Sequence, residues 1–178
     1  MFFKQTIQRC PQKIPCLILI GMPGAGKTTI GRQLAHKLRW PYLDSDHLIE
    51  AAYGHRLQDI VDATDKEGFL DLESKVICAI RAQRTILGTG GSAIYREAAM
   101  QHLQSLGPIV YLEVSLDILE ERVALNPERG IAMAPGQSLA DIFKEREVLY
   151  KKWSNFTCSN NQASIEDCVE KIIKARLV

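Results

Sequence analysis

The stretch that most restricts the fold is Cys16-Leu17-Ile18-Leu19-Ile20 followed at once by Gly21-Met22-Pro23-Gly24-Ala25-Gly26-Lys27-Thr28-Thr29. The first five residues form an apolar run too short for a helix, and so read as a strand buried on both faces. The continuation fits Gly-x-x-x-x-Gly-Lys-Thr, a spacing with a physical purpose. Its glycines leave the backbone free to wrap closely around an anion. Successive N–H groups then converge at the start of a helix whose dipole also favours negative charge. Ile30, Leu34 and Leu38 recur every four residues, as one face of that helix requires. The spacing therefore predicts strand, phosphate loop and helix, with Gly24, Ala25, Gly26, Lys27, Thr28 and Thr29 around a nucleotide's phosphates. Lys27 would reach the β- and γ-phosphates, and the Thr28 hydroxyl would ligate Mg²⁺.

A chain of 178 residues carrying 22 Lys+Arg against 21 Asp+Glu has no basic field to attract nucleic acid or a membrane surface. Its five cysteines, at 10, 16, 78, 158 and 168, show no metal-binding spacing and read as cytosolic thiols. Residues 1–15 hold no apolar segment long enough for a signal peptide, and no stretch is long enough to span a bilayer. A cytoplasmic protein is expected.

Residues 1–15 read as a loose leader, with Pro11 and Pro15 breaking any helix. After the first helix, Tyr42-Leu43-Asp44 reads as a short strand and His47 to Tyr53 as helical. Helical patterns cover Leu57 to Ala63 and Glu67 to Gln83, the latter through Phe69, Leu72, Val76 and Ile80. Thr85 to Leu87 is a strand, Tyr95 to Ser105 a helix and Ile109 to Val114 a strand. A helix capped by Ser115 runs through Leu125. Residues 126–137, with two prolines and two glycines, read as a mobile lid loop. Ser138 caps a helix to Trp153, Phe156 to Cys158 is the last strand, and Ile165 to Ala175 closes the chain. Strands alternating with helices imply one α/β domain over 1–178, a five-stranded parallel sheet covered on both faces.

Ligands of such a sheet lie beyond the C-terminal ends of its strands. After the second strand come Asp44 and Asp46, two carboxylates that could divide metal binding from activation of an attacking hydroxyl. Either could instead be a helix N-cap, Asp46 more than Asp44. After the third strand, the backbone N–H groups of Gly90 and Gly91 could approach a small molecule, or form a plain turn. Arg129 lies in the lid loop, where it could arrive on closure or stay solvated. Arg146 lies on an amphipathic helix, where an ion pair with Glu145 or Glu147 is the alternative to a site role.

From Leu17 onward the chain resembles the shikimate kinases, of the nucleoside-monophosphate-kinase group. The resemblance rests on the loop from Gly21, Asp44-Ser45-Asp46, Glu67-Gly68-Phe69, Thr89-Gly90-Gly91, the pair Arg122 and Arg129, and Glu145-Arg146-x-x-Leu149-Tyr150. It implies a three-layer phosphate-loop kinase fold, a monomer, and Mg-ATP phosphorylating the 3-hydroxyl of shikimate in aromatic amino-acid biosynthesis. It also implies roles. Asp44 joins Thr28 at the magnesium, and Asp46 holds the acceptor hydroxyls and serves as base. Gly90 and Gly91 meet the acceptor, Arg122 lies against adenine, Arg129 closes on the phosphates, and Arg146 binds the acceptor carboxylate. Lys27, Asp46 and Arg129 are then the catalytic residues.

Three positions depart from the family's pattern. Leu70 stands where an arginine normally grips the carboxylate, Ser92 replaces a third glycine, and Arg129-Gly130-Ile131-Ala132 replaces Arg-Pro-Leu-Leu. Losing one cation from a charge-assisted clamp costs roughly 2–5 kcal/mol. Either Arg56, Lys66 or Lys75 compensates, or the acceptor is another small alcohol such as a sugar acid or hydroxy amino acid. A nucleotide-binding module without transfer activity is the remaining reading.

Overall fold

A computed structural model describes residues 14–124, 136–161 and 163–178. The expected leader up to residue 13, with Cys10, and the expected lid from 126 to 135, with Arg129, lie outside the described residues. Strand β1 (Leu17–Ile20) is wholly buried, as an apolar run flanked on both sides must be. It pairs in parallel with β3 (Ile86–Gly88) on one side and β4 (Ile109–Glu113) on the other. With β2 (Tyr42–Asp44) and β5 (Phe156–Ser159) outermost, the parallel sheet has the order β2-β3-β1-β4-β5. The expected five-stranded α/β architecture is therefore observed.

Helix α1 (Lys27–Leu38) follows the loop and packs on β2, β3 and the closing helix α8 (Ile165–Lys174). Helices α2 (Ser45–Tyr53), α3 (Leu57–Ala63) and α4 (Lys66–Ala79) pack on one another beyond the end of β2. They enclose a small apolar cluster of Ile49, Ile60 and Phe69, separate from the main core around the sheet. Helix α5 (Glu97–Leu106) packs on α4, while α6 (Leu116–Ala124) and α7 (Leu139–Trp153) complete the layers. Ser138 caps α7 as expected, in a reciprocal capping box with Asp141.

Four local expectations shift. Helix α2 begins at Ser45 rather than His47, because Asp44 and not Asp46 is its N-cap: the Asp44 side chain accepts the Asp46 N–H. Helix α4 stops at Ala79, since Ile80 turns to an extended conformation (φ −61°, ψ 130°). Its fully buried face also runs through Phe69, Leu70, Glu73 and Ile77, so Leu72 and Val76 lie only partly buried beside the small cluster. The helix expected from Tyr95 is a 3-10 turn at Ala93–Tyr95 and then α5, separated by Arg96 in an extended conformation. There Arg96 bridges to Glu67 and Asp71.

Buried polar side chains concentrate at one edge. Ser45, Thr89, Ser92 and Asn160 follow the ends of strands, and Glu73 and Arg146 join Thr89 and Ser92 in lining a cleft there. Desolvating that many polar groups is costly unless they pair with one another or with a ligand. The edge they mark is the one where ligands of open α/β sheets sit.

Candidate active site

A cleft of about 350 Å³ opens at this edge. Gly24, Gly26, Lys27 and Thr28 line one side, and Asp44 and Asp46 descend from the end of β2. Thr89 to Ser92 come from the turn after β3, Glu73 and Phe69 from α4, and Arg146 from α7. Glu50 of α2 with Arg56, Leu57, Gln58 and Val61 at α3 forms the remaining wall.

The nucleotide side is built mainly of backbone. Gly21 has φ 147°, and a Cβ there would lie 2.7 Å from the Leu112 carbonyl oxygen, so only glycine fits. Gly24 and Gly26 also have positive φ, and Gly26 is the N-cap of α1. Lys27 Nζ donates to the carbonyls of Gly21 (2.7 Å) and Met22 (2.9 Å), which holds the ammonium over the loop. Asn160 Nδ2 donates to the Ala25 carbonyl at 2.9 Å, and Arg122 Nη1 to that of Gly24 at 3.1 Å. The loop's shape is thus fixed from outside by β5 and α6. Ala25 is buried within the loop, whereas Thr29 is exposed on α1.

Asp44 is a junction. Its Oδ1 caps α2, while Oδ2 accepts from the Tyr42 hydroxyl at 2.8 Å and the Thr28 hydroxyl at 3.4 Å. Neighbouring ligands of an octahedral cation with bonds near 2.1 Å lie about 3 Å apart. The Thr28 and Asp44 oxygens are close to that spacing and of the hard type magnesium takes, so the pair fits such an ion. Burial raises the Tyr42 pKa, and the adjacent Asp44 charge raises it further, so the phenol stays a donor.

Asp46 and Glu73 converge over Gly90. A Cβ on Gly90 would clash with Glu73 Oε1 and lie 2.8 Å from Asp46 Oδ1. The Gly90 N–H donates to Ser45 Oγ at 2.9 Å, which fixes that turn against α2. Glu73 is 1 % exposed; its Oε2 accepts from Ser92 Oγ at 2.7 Å, and its Oε1 has no hydrogen-bond partner among the described residues. Burial pushes its pKa up to about 7, the Asp46 charge adds to the rise, and the Ser92 hydrogen bond opposes it. The serine that departs from the family's glycine triplet is thus a partner of Glu73.

Arg146 is 1 % exposed, with Nε donating to the Tyr95 hydroxyl at 3.2 Å and the guanidinium 5.3 Å from the Tyr95 ring centre. A surface ion pair is excluded by that burial. Gly91 lies between this arginine and the phosphate loop: a Cβ there would be 3.0 Å from Arg146 Nη1 and 2.8 Å from Pro23 Cδ. Tyr150 donates to the Gly91 carbonyl at 2.7 Å. Leu70 is 3 % exposed and is not among the residues lining the cleft.

The structure therefore gathers Gly24, Gly26, Lys27, Thr28, Asp44, Asp46, Gly90, Gly91 and Arg146 around one cavity. Arg122 sits behind the loop at Gly24 rather than on the cleft wall, and Arg129 lies outside the described residues. Sequence reasoning did not single out Glu73, Tyr42, Ser45 or Asn160. For Glu73 a signal existed, because Phe69, Glu73 and Ile77 are four apart and put a carboxylate in the middle of a buried stripe. Among the described residues no helix is long and apolar enough to cross a membrane.

Comparison with known proteins gives one consistent family. The family model described as shikimate kinase matches residues 23–176. The chain is 35 % identical over 166 residues to a shikimate kinase of Chromohalobacter salexigens, covering 92 % of each. It is 36 % identical over 160 residues to one of Francisella tularensis subsp. novicida, covering 88 % of this chain and 91 % of the relative. Among solved structures, the shikimate kinase of Acinetobacter baumannii in complex with shikimate superposes with a TM-score of 0.83 at 32 % identity. That match covers 92 % of this chain and 93 % of the other.

Proposed function

The chain belongs to the shikimate kinase family, and from that premise we propose how its residues carry out ATP-dependent phosphorylation of shikimate. The observation that carries the reading is the single cleft in which Lys27 and Thr28 of the loop face Asp46, Gly91 and Arg146. A kinase must place a phosphate donor and an alcohol within reach of each other, and here both sets of binding groups open on one cavity.

The loop N–H groups and Lys27 bind the β- and γ-phosphates, and Thr28 with Asp44 would hold Mg²⁺. When bound, the ion neutralises charge on the phosphate oxygens. Arg146 and Gly91 orient shikimate so that its 3-hydroxyl faces Asp46. Asp46 accepts the hydroxyl proton as the oxygen attacks the γ-phosphorus, and the bond to the ADP oxygen breaks on the opposite side. Lys27 neutralises the charge that spreads over the transferring group, joined by Arg129. Arg122, already at the Gly24 carbonyl, lies against the adenine. The enzyme works as a single-domain cytoplasmic monomer without a nucleic-acid or membrane partner, which light scattering and cell fractionation check.

The test is ADP release with purified protein and Mg-ATP. Shikimate should stimulate it and yield shikimate 3-phosphate, while gluconate and homoserine should leave it near the background rate. The relatives named shikimate kinase, one of them solved in complex with shikimate, support shikimate as the acceptor. Equal stimulation by another alcohol, or none by shikimate, would refute the assignment.

A further inference from the structure

We propose that Arg56 is the second cationic arm of the acceptor clamp, gripping the acceptor's carboxylate together with Arg146 in place of the cation that position 70 lacks. The proposal rests on the acceptor being a carboxylate-bearing alcohol, as read above. Such a carboxylate enters a site already crowded with negative charge, since Asp46 and Glu73 converge over Gly90. One arginine is a weak counterweight to two carboxyl groups and the incoming anion. Leu70 contributes no charge and is not among the residues that line the cleft.

Three cations line the cleft among the described residues: Lys27, Arg56 and Arg146. Lys27 is bound to the carbonyls of its own loop and faces the phosphates. The other two cations near Leu70 in sequence are placed elsewhere. Lys66 has its ammonium 5.3 Å from the Tyr95 ring centre, and Lys75 is exposed on α4; neither lines the cleft. Arg56 is left.

Its position is fixed by something other than itself. Glu50 Oε1 accepts the Leu57 N–H at 2.9 Å, which ties the start of α3 to α2 and holds the Arg56 backbone on the cleft wall. Arg56 is the N-cap of α3 but makes no side-chain capping bond, and it is exposed. Its guanidinium is therefore carried on a fixed stem at the mouth of the cleft. A planar fork there can engage a carboxylate bidentately, a geometry lysine does not reproduce.

The test compares wild type, Arg56→Ala and Arg56→Lys with two acceptors, shikimate and its methyl ester, which keeps the hydroxyls but loses the charge. Removing a binding interaction made equally in ground and transition states raises KM and leaves kcat alone. Arg56→Ala should raise the shikimate KM about tenfold or more, as expected for one charge-assisted contact near solvent. Its kcat and its KM for ATP should stay within about twofold. The ester should show no comparable penalty, and Arg56→Lys should recover only part of the loss. Unchanged KM in Arg56→Ala, or an equal penalty on the ester, overturns the proposal while the kinase assignment stands. A wild-type protein inert toward shikimate sinks the assignment itself, and this proposal with it.

Discussion

The two sides of the cleft are built by different means. The nucleotide side is mainly backbone: a glycine loop with three positive φ values, one lysine, and an aspartate that also caps a helix. The acceptor side is assembled from side chains on α2, α4, α7 and the turn after β3, far apart in sequence. A backbone-built site is specified by local spacing, since only glycines at set positions allow the loop. A side-chain-built site exists only once distant elements have packed. The first half can change little without collapse, whereas the second can exchange an arginine for leucine and still present a lined cavity.

The sharpest way to separate the halves is Asp46→Asn. The amide keeps the shape but cannot take a proton, so kcat should fall by about 10²–10⁴, the usual worth of a general base. ATP affinity, measured by titration without acceptor, should stay within about twofold. If ATP binding fell along with turnover, the two sides would not be independent and the comparison would fail.

The reciprocal change is Lys27→Ala. Losing one preorganised charge at the transferring group should lower kcat by about 10²–10³. Shikimate binding, followed by calorimetry without nucleotide, should be unaffected. Because Lys27 also bonds the Gly21 and Met22 carbonyls, its loss should weaken ATP binding as well as turnover. An intact ATP affinity would mean the lysine acts only on the transition state.

Lys27 was legible in the sequence because its partners are local, and Asp46 because it lies two residues past the end of a short strand. So were the sheet, the Ser138 cap and most helices, whose apolar spacing is a property of a few consecutive turns. The choice of cap at the end of β2 was not. Asp44 and Asp46 are equivalent as residue types, and only the bond from the Asp46 N–H to Asp44 Oδ1 decides between them. Nor was the break at Arg96, held extended between partners 25 and 29 residues away. Arg146 could be matched to a family pattern, but its burial depends on packing against Tyr95. Glu73 needed both the helix phase and knowledge that Ser92 would come within 2.7 Å across 19 residues.

Glu73 sharpens the comparison from the acceptor side. Its folded-state pKa of about 7 lies above the ordinary carboxyl value near 4.3. Below pH 4.3 both states hold the proton and the group is neutral to folding. Between pH 4.3 and 7 the unfolded chain gives up its proton while the folded one keeps it, so stability falls as pH rises. The full loss, of order 3 kcal/mol, is reached above pH 7. Glu73→Gln removes the titration. Urea unfolding from pH 5 to 8 should therefore show wild type losing stability relative to the variant. A parallel pair of curves would mean the carboxyl is already neutralised by a nearby cation, and that the acceptor side is as fully paired as the loop.

The smallest expected effect comes from Tyr42, which belongs to neither side and joins them. Its hydroxyl donates to Asp44 Oδ2 at 2.8 Å, the same oxygen that meets Thr28. Its ring fills the space over two glycines. A Cβ on Gly31 would lie 2.5 Å from Tyr42 Cε2, and one on Gly88 would clash with the Tyr42 hydroxyl. Tyr42→Phe keeps that packing and removes only the hydrogen bond, so it should cost about 1.5–3 kcal/mol of stability, the range for a bond to a charged group. Because the phenol stays protonated well above the ordinary tyrosine value, the cost should be constant from pH 6 to 9. Asp44, freed of one donor but still capping α2, should hold magnesium with at most a few-fold change in the concentration giving half-maximal rate. A larger change would make Tyr42 a part of the nucleotide site itself. It would also show that the backbone-built half depends on a side chain four residues past the end of α1, which no glycine spacing could have revealed.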